Sequence, residues 1–188
     1  MQKKNTCGSA SQAGLPKEKV LDRMRRLCSR REYCSADIRA KVAAALAPGC
    51  GDGDSGQAGE DMGRAIEEIM SSLLSDRYVD DLRYATAFAR DKSSLAGWGE
   101  TKIRYALSAK RIDKDVISAA LDEIDDGKAS ARLEKLLETK YRSLCRTSSS
   151  SGTPADGGQI RLKLLRFALS RGYSYEEASS VIGRLSAS

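Results

Sequence analysis

A side chain that is to move protons, attack a carbonyl or hold a metal ion needs partners at defined spacings, and few such sets occur in these 188 residues. The chain contains no histidine, which excludes Ser-His and Cys-His nucleophilic catalysis and all His-based metal sites. The five cysteines, Cys7, Cys28, Cys34, Cys50 and Cys145, form no Cys-x-x-Cys pair. Their odd number argues against a closed disulfide framework, so reduced thiols are expected. Tyr78-Val79-Asp80-Asp81 has the Tyr-x-Asp-Asp pattern with which reverse transcriptases hold metal ions. That site sits on a β-hairpin and needs a further carboxylate from a distant strand, whereas here the pair opens a helix. Asp52-Gly53-Asp54 begins like an EF-hand loop, which requires glutamate at its twelfth position; the sixth residue here is Gln57 and the twelfth Gly63. Gly97-Trp98-Gly99 is too short to cradle a phosphate, and no Gly-Lys-Ser/Thr follows it. No catalytic, metal or cofactor site is expected, and the chain reads as a binding protein, not an enzyme.

Binding capacity lies in the cations. The formal net charge is +6, and it is unevenly spread: Arg23, Arg25, Arg26, Arg30 and Arg31 crowd one segment, and Arg161, Lys163, Arg166 and Arg171 another. Such clusters attract phosphate backbones or acidic protein surfaces, although solvated helix faces also carry them. Lys163, Arg166 and Ser170 recur at spacings of three and four, opposite Leu162, Leu165 and Leu169, and so form an outward stripe. Arg104 and Arg111, with Ser108 between, repeat the arrangement. The lone Trp98, beside Lys102 and Arg104, is read as a packing residue at a helix start, with stacking on a base or anchoring of a partner as the alternative. The candidate partner- or DNA-binding residues are therefore Arg23, Arg26, Arg30, Lys102, Arg104, Arg111, Lys163, Arg166 and Arg171.

The elements that position these side chains are helices. Hydrophobic residues make up 40% of the chain and aromatic residues only 5%, a balance suited to helix packing. No apolar run approaches the ~20 residues needed to cross a bilayer, and the polar N-terminus lacks a secretion signal, so a cytoplasmic location is expected. Apolar residues at helical spacing define nine helices. Their expected inward residues include Val20 and Met24; Ile38 and Val42; Ile69, Leu73 and Leu74; Leu82, Ala85 and Ala89; Ile103 and Leu107; Ile117 and Leu121; Leu133 and Leu137; Leu162, Leu165 and Leu169; and Ala178 and Ile182. Ser35, Asp113 and Ser174 are expected caps. Arg104-Tyr105-Ala106-Leu107-Ser108 matches Arg166-Phe167-Ala168-Leu169-Ser170, and Ile38-Arg39 gives a weaker echo, so the nine helices divide by threes as an internal repeat. The expected organisation is a disordered tail over 1–16, a first three-helix repeat over 17–76 with a glycine-rich insertion at 47–61, a second repeat over 77–126, and a third over 127–188 with a Ser/Gly-rich loop at 146–158. Such a stack gives an all-α, elongated, curved molecule that presents a long surface in place of a deep pocket.

In their order and spacing, Tyr78-Val79-Asp80-Asp81-Leu82-Arg83-Tyr84-Ala85, Gly97-Trp98-Gly99 before Lys102-Ile103-Arg104, and Phe167-Ala168-Leu169-Ser170-Arg171-Gly172-Tyr173 resemble the signatures of the RecX family, bacterial regulators of the RecA recombinase. The resemblance covers about residues 17–185. It departs from the family at Lys110-Arg111-Ile112, where the family has Lys-Gly-Ile, so the turn before the sixth helix must form without glycine, at a conformational cost. The resemblance implies tandem three-helix repeats that lie in the groove of a RecA filament on single-stranded DNA. There they would limit filament growth and so restrain strand exchange, ATPase and co-protease activities. A monomer is the expectation for a stack with polar ends. A helical-repeat module that binds DNA without recombinase is the rival reading, and a purely protein-binding adaptor a third.

Overall fold

The structure, a computed structural model, describes residues 15–47, 56–124, 126–150 and 157–186. Every regular element among them is helical, as expected: α1 Lys17–Cys28, α2 Ser35–Leu46, α3 Gly56–Ser75, α4 Asp81–Ser94, α5 Glu100–Ala109, α6 Lys114–Asp122, α7 Asp126–Ser150, α8 Gly157–Arg171 and α9 Tyr175–Ser186. The helices pack in threes, each of α1–α3, α4–α6 and α7–α9 touching both others of its group. The chain divides into two compact units, Met1–Asp80 and Asp81–Ser188.

In the first unit, Val20 and Met24 of α1, Ile38 and Val42 of α2 and Ile69, Met70 and Leu73 of α3 form one buried cluster with Tyr33 and Val79. Leu15, at the end of the expected tail, donates its N–H to the Ala45 carbonyl at 3.2 Å; residues 1–14 lie outside those described. In the second unit, Leu133, Leu137, Ile160, Leu164, Ala178, Val181 and Ile182 belong to the core of α7–α9, while Ala85, Ala89, Ile103, Leu107, Ile117, Ala120 and Leu121 are the buried apolar residues of α4–α6.

Local chemistry sets the helix boundaries. The Asp113 carboxylate caps α6 by accepting from the Asp115 N–H at 2.8 Å. Ser174 and Glu177 form a capping box on α9: the serine oxygen accepts from the Glu177 N–H at 3.2 Å, and the Ser174 N–H donates to the Glu177 carboxylate at 2.7 Å. Ser35 is instead the first residue of α2, and Cys34 occupies the cap position.

Helices α3, α5 and α8 end in one shared motif. In each, a residue one or two positions past the helix lies in the left-handed region, Arg77 at φ 56°, Arg111 at φ 60° and Gly172 at φ 88°. The next N–H then reaches back five residues, from Tyr78 to the Leu73 carbonyl at 2.9 Å, Ile112 to Leu107 at 3.4 Å, and Tyr173 to Ala168 at 3.2 Å. These are Schellman turns, which satisfy carbonyls the helix itself leaves open. The turn at Arg111 does form without glycine, as the sequence requires.

Three expectations are corrected. Helix α3 already begins at Gly56 and α7 continues to Ser150, so the intervening loops are shorter than 47–61 and 146–158; residues 48–55 and 151–156 lie outside those described. Leu74 and Leu82 are exposed, not inward. On α8 the core face is Ile160, Leu164 and Ala168, whereas Leu162 and Leu169 are 46% and 44% exposed. Both rows have helical spacing, so periodicity alone cannot choose between them. The Schellman turn chooses, because Tyr173 folds back on Ala168 and faces that residue, with Leu164 and Ile160 one and two turns before it, toward the core.

Candidate functional site

With the turns as landmarks, α8–α9 superposes in sequence on α5–α6 with Leu164 opposite Ile103, Ala168 opposite Leu107, Gly172 opposite Arg111, Tyr173 opposite Ile112 and Ser174 opposite Asp113. This is one residue out of step with the Arg-Tyr-Ala-Leu-Ser and Arg-Phe-Ala-Leu-Ser identity. Lys163 therefore corresponds to Lys102, but Arg166 corresponds to Tyr105, an exposed side chain, and Arg104 to Leu165. The expected pair of equivalent arginine stripes is thus not a structural equivalence.

The second unit is joined internally by backbone. Helix α8 ends against the start of α5: the Gly99 N–H donates to the Arg171 carbonyl at 2.9 Å, the Thr101 N–H to Gly172 at 3.2 Å, and Lys102 Nζ to Ser170 at 3.1 Å. The open carbonyls of one helix end thereby satisfy the open N–H groups of another, with opposite ends of the two helix dipoles together. Only glycines allow this approach: a Cβ on Gly99 would stand 2.4 Å from the Gly172 oxygen, and one on Gly172 would stand 2.3 Å from Lys102 Cβ. The Arg171 guanidinium donates to the Ala96 carbonyl at 2.8 Å and lies 5.2 Å from the Phe167 ring centre.

The nine candidate cations now sort by what they touch. Lys102 lies 4.8 Å from the Trp98 ring centre in addition to its contact with Ser170. Arg104 is held by Glu100 at 2.7 Å and by the Ser118 hydroxyl at 3.1 Å. Arg171 ties the α8 end to the α4–α5 turn. Arg111, Lys163 and Arg166 are exposed. In the first unit, Arg23, Arg26 and Arg30 are exposed and, with Lys41, line an open groove of about 460 Å³ floored by Met24, Leu27, Ala44 and Ala45. Among the described residues its lining contains no carboxylate. Arg25, by contrast, is spent on structure, bonding Asp76 at 2.7 Å and Ser72 at 3.3 Å and covering the Tyr78 ring.

Trp98 packs edge-on against Phe88 at 6.4 Å, with Lys92 and Lys102 both over its ring, which supports the packing role. Among the described residues no group of three or more His, Cys, Asp or Glu side chains is placed to hold a metal ion. No helix of the structure is long and apolar enough to cross a membrane, among the residues described. Sequence reasoning missed a second basic cleft, between the α4 end, α7 and α8, lined by Arg132, Lys135, Lys140 and Arg171. Arg132, Lys135 and Lys140 follow one another along α7 with Glu134 and Glu138 among them, and Arg171 comes from α8, so charge clustering in the sequence does not mark the cleft.

The class defined by this geometry is a helical-repeat protein with basic grooves. Residues 80–121, which hold α4–α6, match the family model described as RecX, second three-helix domain. The proteins named regulatory protein RecX of Clostridium botulinum (strain Alaska E43 / Type E3) and Clostridium tetani are 36% and 30% identical over 118 and 122 residues, 63% and 65% of this chain. The chain covers 52% and 53% of those relatives, about half their length. The crystal structure of RecX from Lactobacillus salivarius has the same fold, with a TM-score of 0.71, 18% identity, and 92% of this chain and 97% of that one covered. The chain is similar in sequence and in fold to the RecX regulatory proteins, as its signatures suggested.

Proposed function

We propose that this chain is a non-enzymatic negative regulator of the RecA recombinase, acting as a cytoplasmic monomer. It binds the RecA filament on single-stranded DNA and restrains filament growth, strand exchange, ATPase and co-protease activities. The observation that carries this reading is the match of α4–α6 to a RecX domain. The exposed cations Arg111, Lys163 and Arg166 supply a means of engaging acidic protein surface or phosphate. Binding to one filament state over another is enough to shift an assembly equilibrium without bond chemistry.

Co-sedimentation with pre-formed RecA filaments, set beside naked single-stranded DNA at the same salt, tests the reading. Preferential retention on filaments supports it; equal retention on naked DNA refutes it. The second reading, direct DNA binding without recombinase, is favoured by the groove of Arg23, Arg26, Arg30 and Lys41, whose described lining residues include no carboxylate. It requires affinity that falls steeply between low and moderate salt, as released counterions dictate.

A further inference from the structure

The cleft between the α4 end, α7 and α8 combines two properties that single out one kind of ligand. Its volume is about 690 Å³, and it presents Arg132, Lys135, Lys140 and Arg171 with no carboxylate among the described residues of its lining. At its rim Leu95 is 84% exposed, and Leu136 lies within. The cations continue past the cleft: Arg132 and Ser94 also line a neighbouring hollow of about 260 Å³ that holds Arg90 and Lys128, with Glu123 the one acid among its described lining residues. From Lys128 to Lys140 the row follows α7 for about 18 Å at the helical rise per residue. An extended chain with several negative charges matches this row.

The apolar rim separates two candidates. A nucleic-acid strand gains affinity from open aromatic plates on which bases stack. The aromatic ring of this cleft, Phe167, already has Lys140 5.6 Å and Arg171 5.2 Å from its centre. An exposed leucine offers little to a phosphate backbone but much to an apolar side chain. We infer that the α4–α7–α8 cleft is a docking site for an acidic peptide segment of a partner protein, its carboxylates facing Arg132, Lys135 and Lys140 and one large apolar residue seated on Leu95 and Leu136.

The test is fluorescence anisotropy with the full chain and no recombinase present, so its failure is distinct from failure of the filament reading. The probes are a short labelled peptide of aspartates and glutamates around one leucine, the same peptide with serine for leucine, and a labelled oligothymidine, at matched salt. The leucine peptide is expected to bind, and the serine peptide to bind about tenfold more weakly. Lys135→Glu should weaken the leucine peptide about tenfold or more, and Leu95→Asp comparably. Both positions are exposed, so circular dichroism and melting should stay unchanged. NMR amide shifts on peptide addition should centre on the α4 end, α7 and α8. Equal binding of the two peptides, no peptide binding, shifts centred elsewhere, or oligothymidine binding that Lys135→Glu abolishes and Leu95→Asp ignores would each overturn the inference.

Discussion

Gly172→Ala tests whether the α8–α5 joint is made of backbone. The added methyl meets two penalties. At φ 88° a residue with a Cβ is strained by roughly 1–2 kcal/mol. Its Cβ also lies 2.3 Å from Lys102 Cβ and 2.6 Å from the Lys102 nitrogen, so main chain must move, and overpacking of that kind costs about 1–3 kcal/mol. The expected loss is thus about 3 kcal/mol, and with a urea slope of about 2 kcal/mol/M it lowers the unfolding midpoint of Asp81–Ser188 by about 1.5 M. Gly99→Ala acts on the same joint, since its Cβ meets the Gly172 oxygen. The double variant should therefore lose less than the sum of the singles, because the first substitution already opens the contact. Arg111→Gly, at the equivalent turn of α5, is the opposite control. It relieves left-handed strain while giving the unfolded chain more freedom, for a net gain below about 1 kcal/mol. Urea titrations followed by far-ultraviolet circular dichroism give all four values. If Gly172→Ala unfolds within about 0.5 kcal/mol of the parent chain, or if the two glycine variants add fully, the joint is not held as described.

Four further outcomes follow from individual contacts. Arg171→Ala should cost about 1.5–3 kcal/mol in urea unfolding, because the part-buried guanidinium loses its bond to the Ala96 carbonyl; Arg171→Lys should restore only part of that. Ser174→Ala removes the α9 cap and should cost about 1 kcal/mol. Burial pushes the Tyr173 phenol above the ordinary tyrosine range, with Glu177 adding to the rise and Arg132 and Arg171 opposing it. The folded protein thus holds its proton longer than the unfolded chain; stability is unaffected below pH ~10 and falls as pH rises through the folded value, a slope that Tyr173→Phe should flatten in urea midpoints across the alkaline range. Lys163→Glu with Arg166→Glu should abolish most inhibition of RecA-driven strand exchange without altering the melting curve, and unchanged inhibition would remove these residues from the proposed contact.

The helices were legible because their signals are local. Val20 and Met24, Ile103 and Leu107, and Ala178 and Ile182 fall on core faces where their spacing places them, and Asp113 and Ser174 cap α6 and α9 as their side chains allow. The phase of α8 was not legible, because Leu162-Leu165-Leu169 and Ile160-Leu164-Ala168 are equally periodic and a turn beyond the helix decides between them. The same turn moves the repeat by one residue, so the five-residue identity around Arg104 and Arg166 marks related helices but not matching positions. Charge clustering found the α1 groove through Arg23, Arg26 and Arg30. It missed the cleft of Arg132, Lys135, Lys140 and Arg171, whose members come from two helices. It also could not tell that Arg104 and Arg171 are engaged within the fold, since a side chain's internal partners depend on tertiary contacts.

Because the joint between α8 and α5 is made chiefly of peptide groups and two glycines, with Lys102 and Arg171 as its side-chain contacts, it places few demands on the identity of other side chains. Surface residues other than Lys102 and Arg171 can be exchanged without removing the backbone hydrogen bonds that join the two three-helix groups. Such a coupling lets a binding face be rewritten by substitution without re-engineering the frame that carries it.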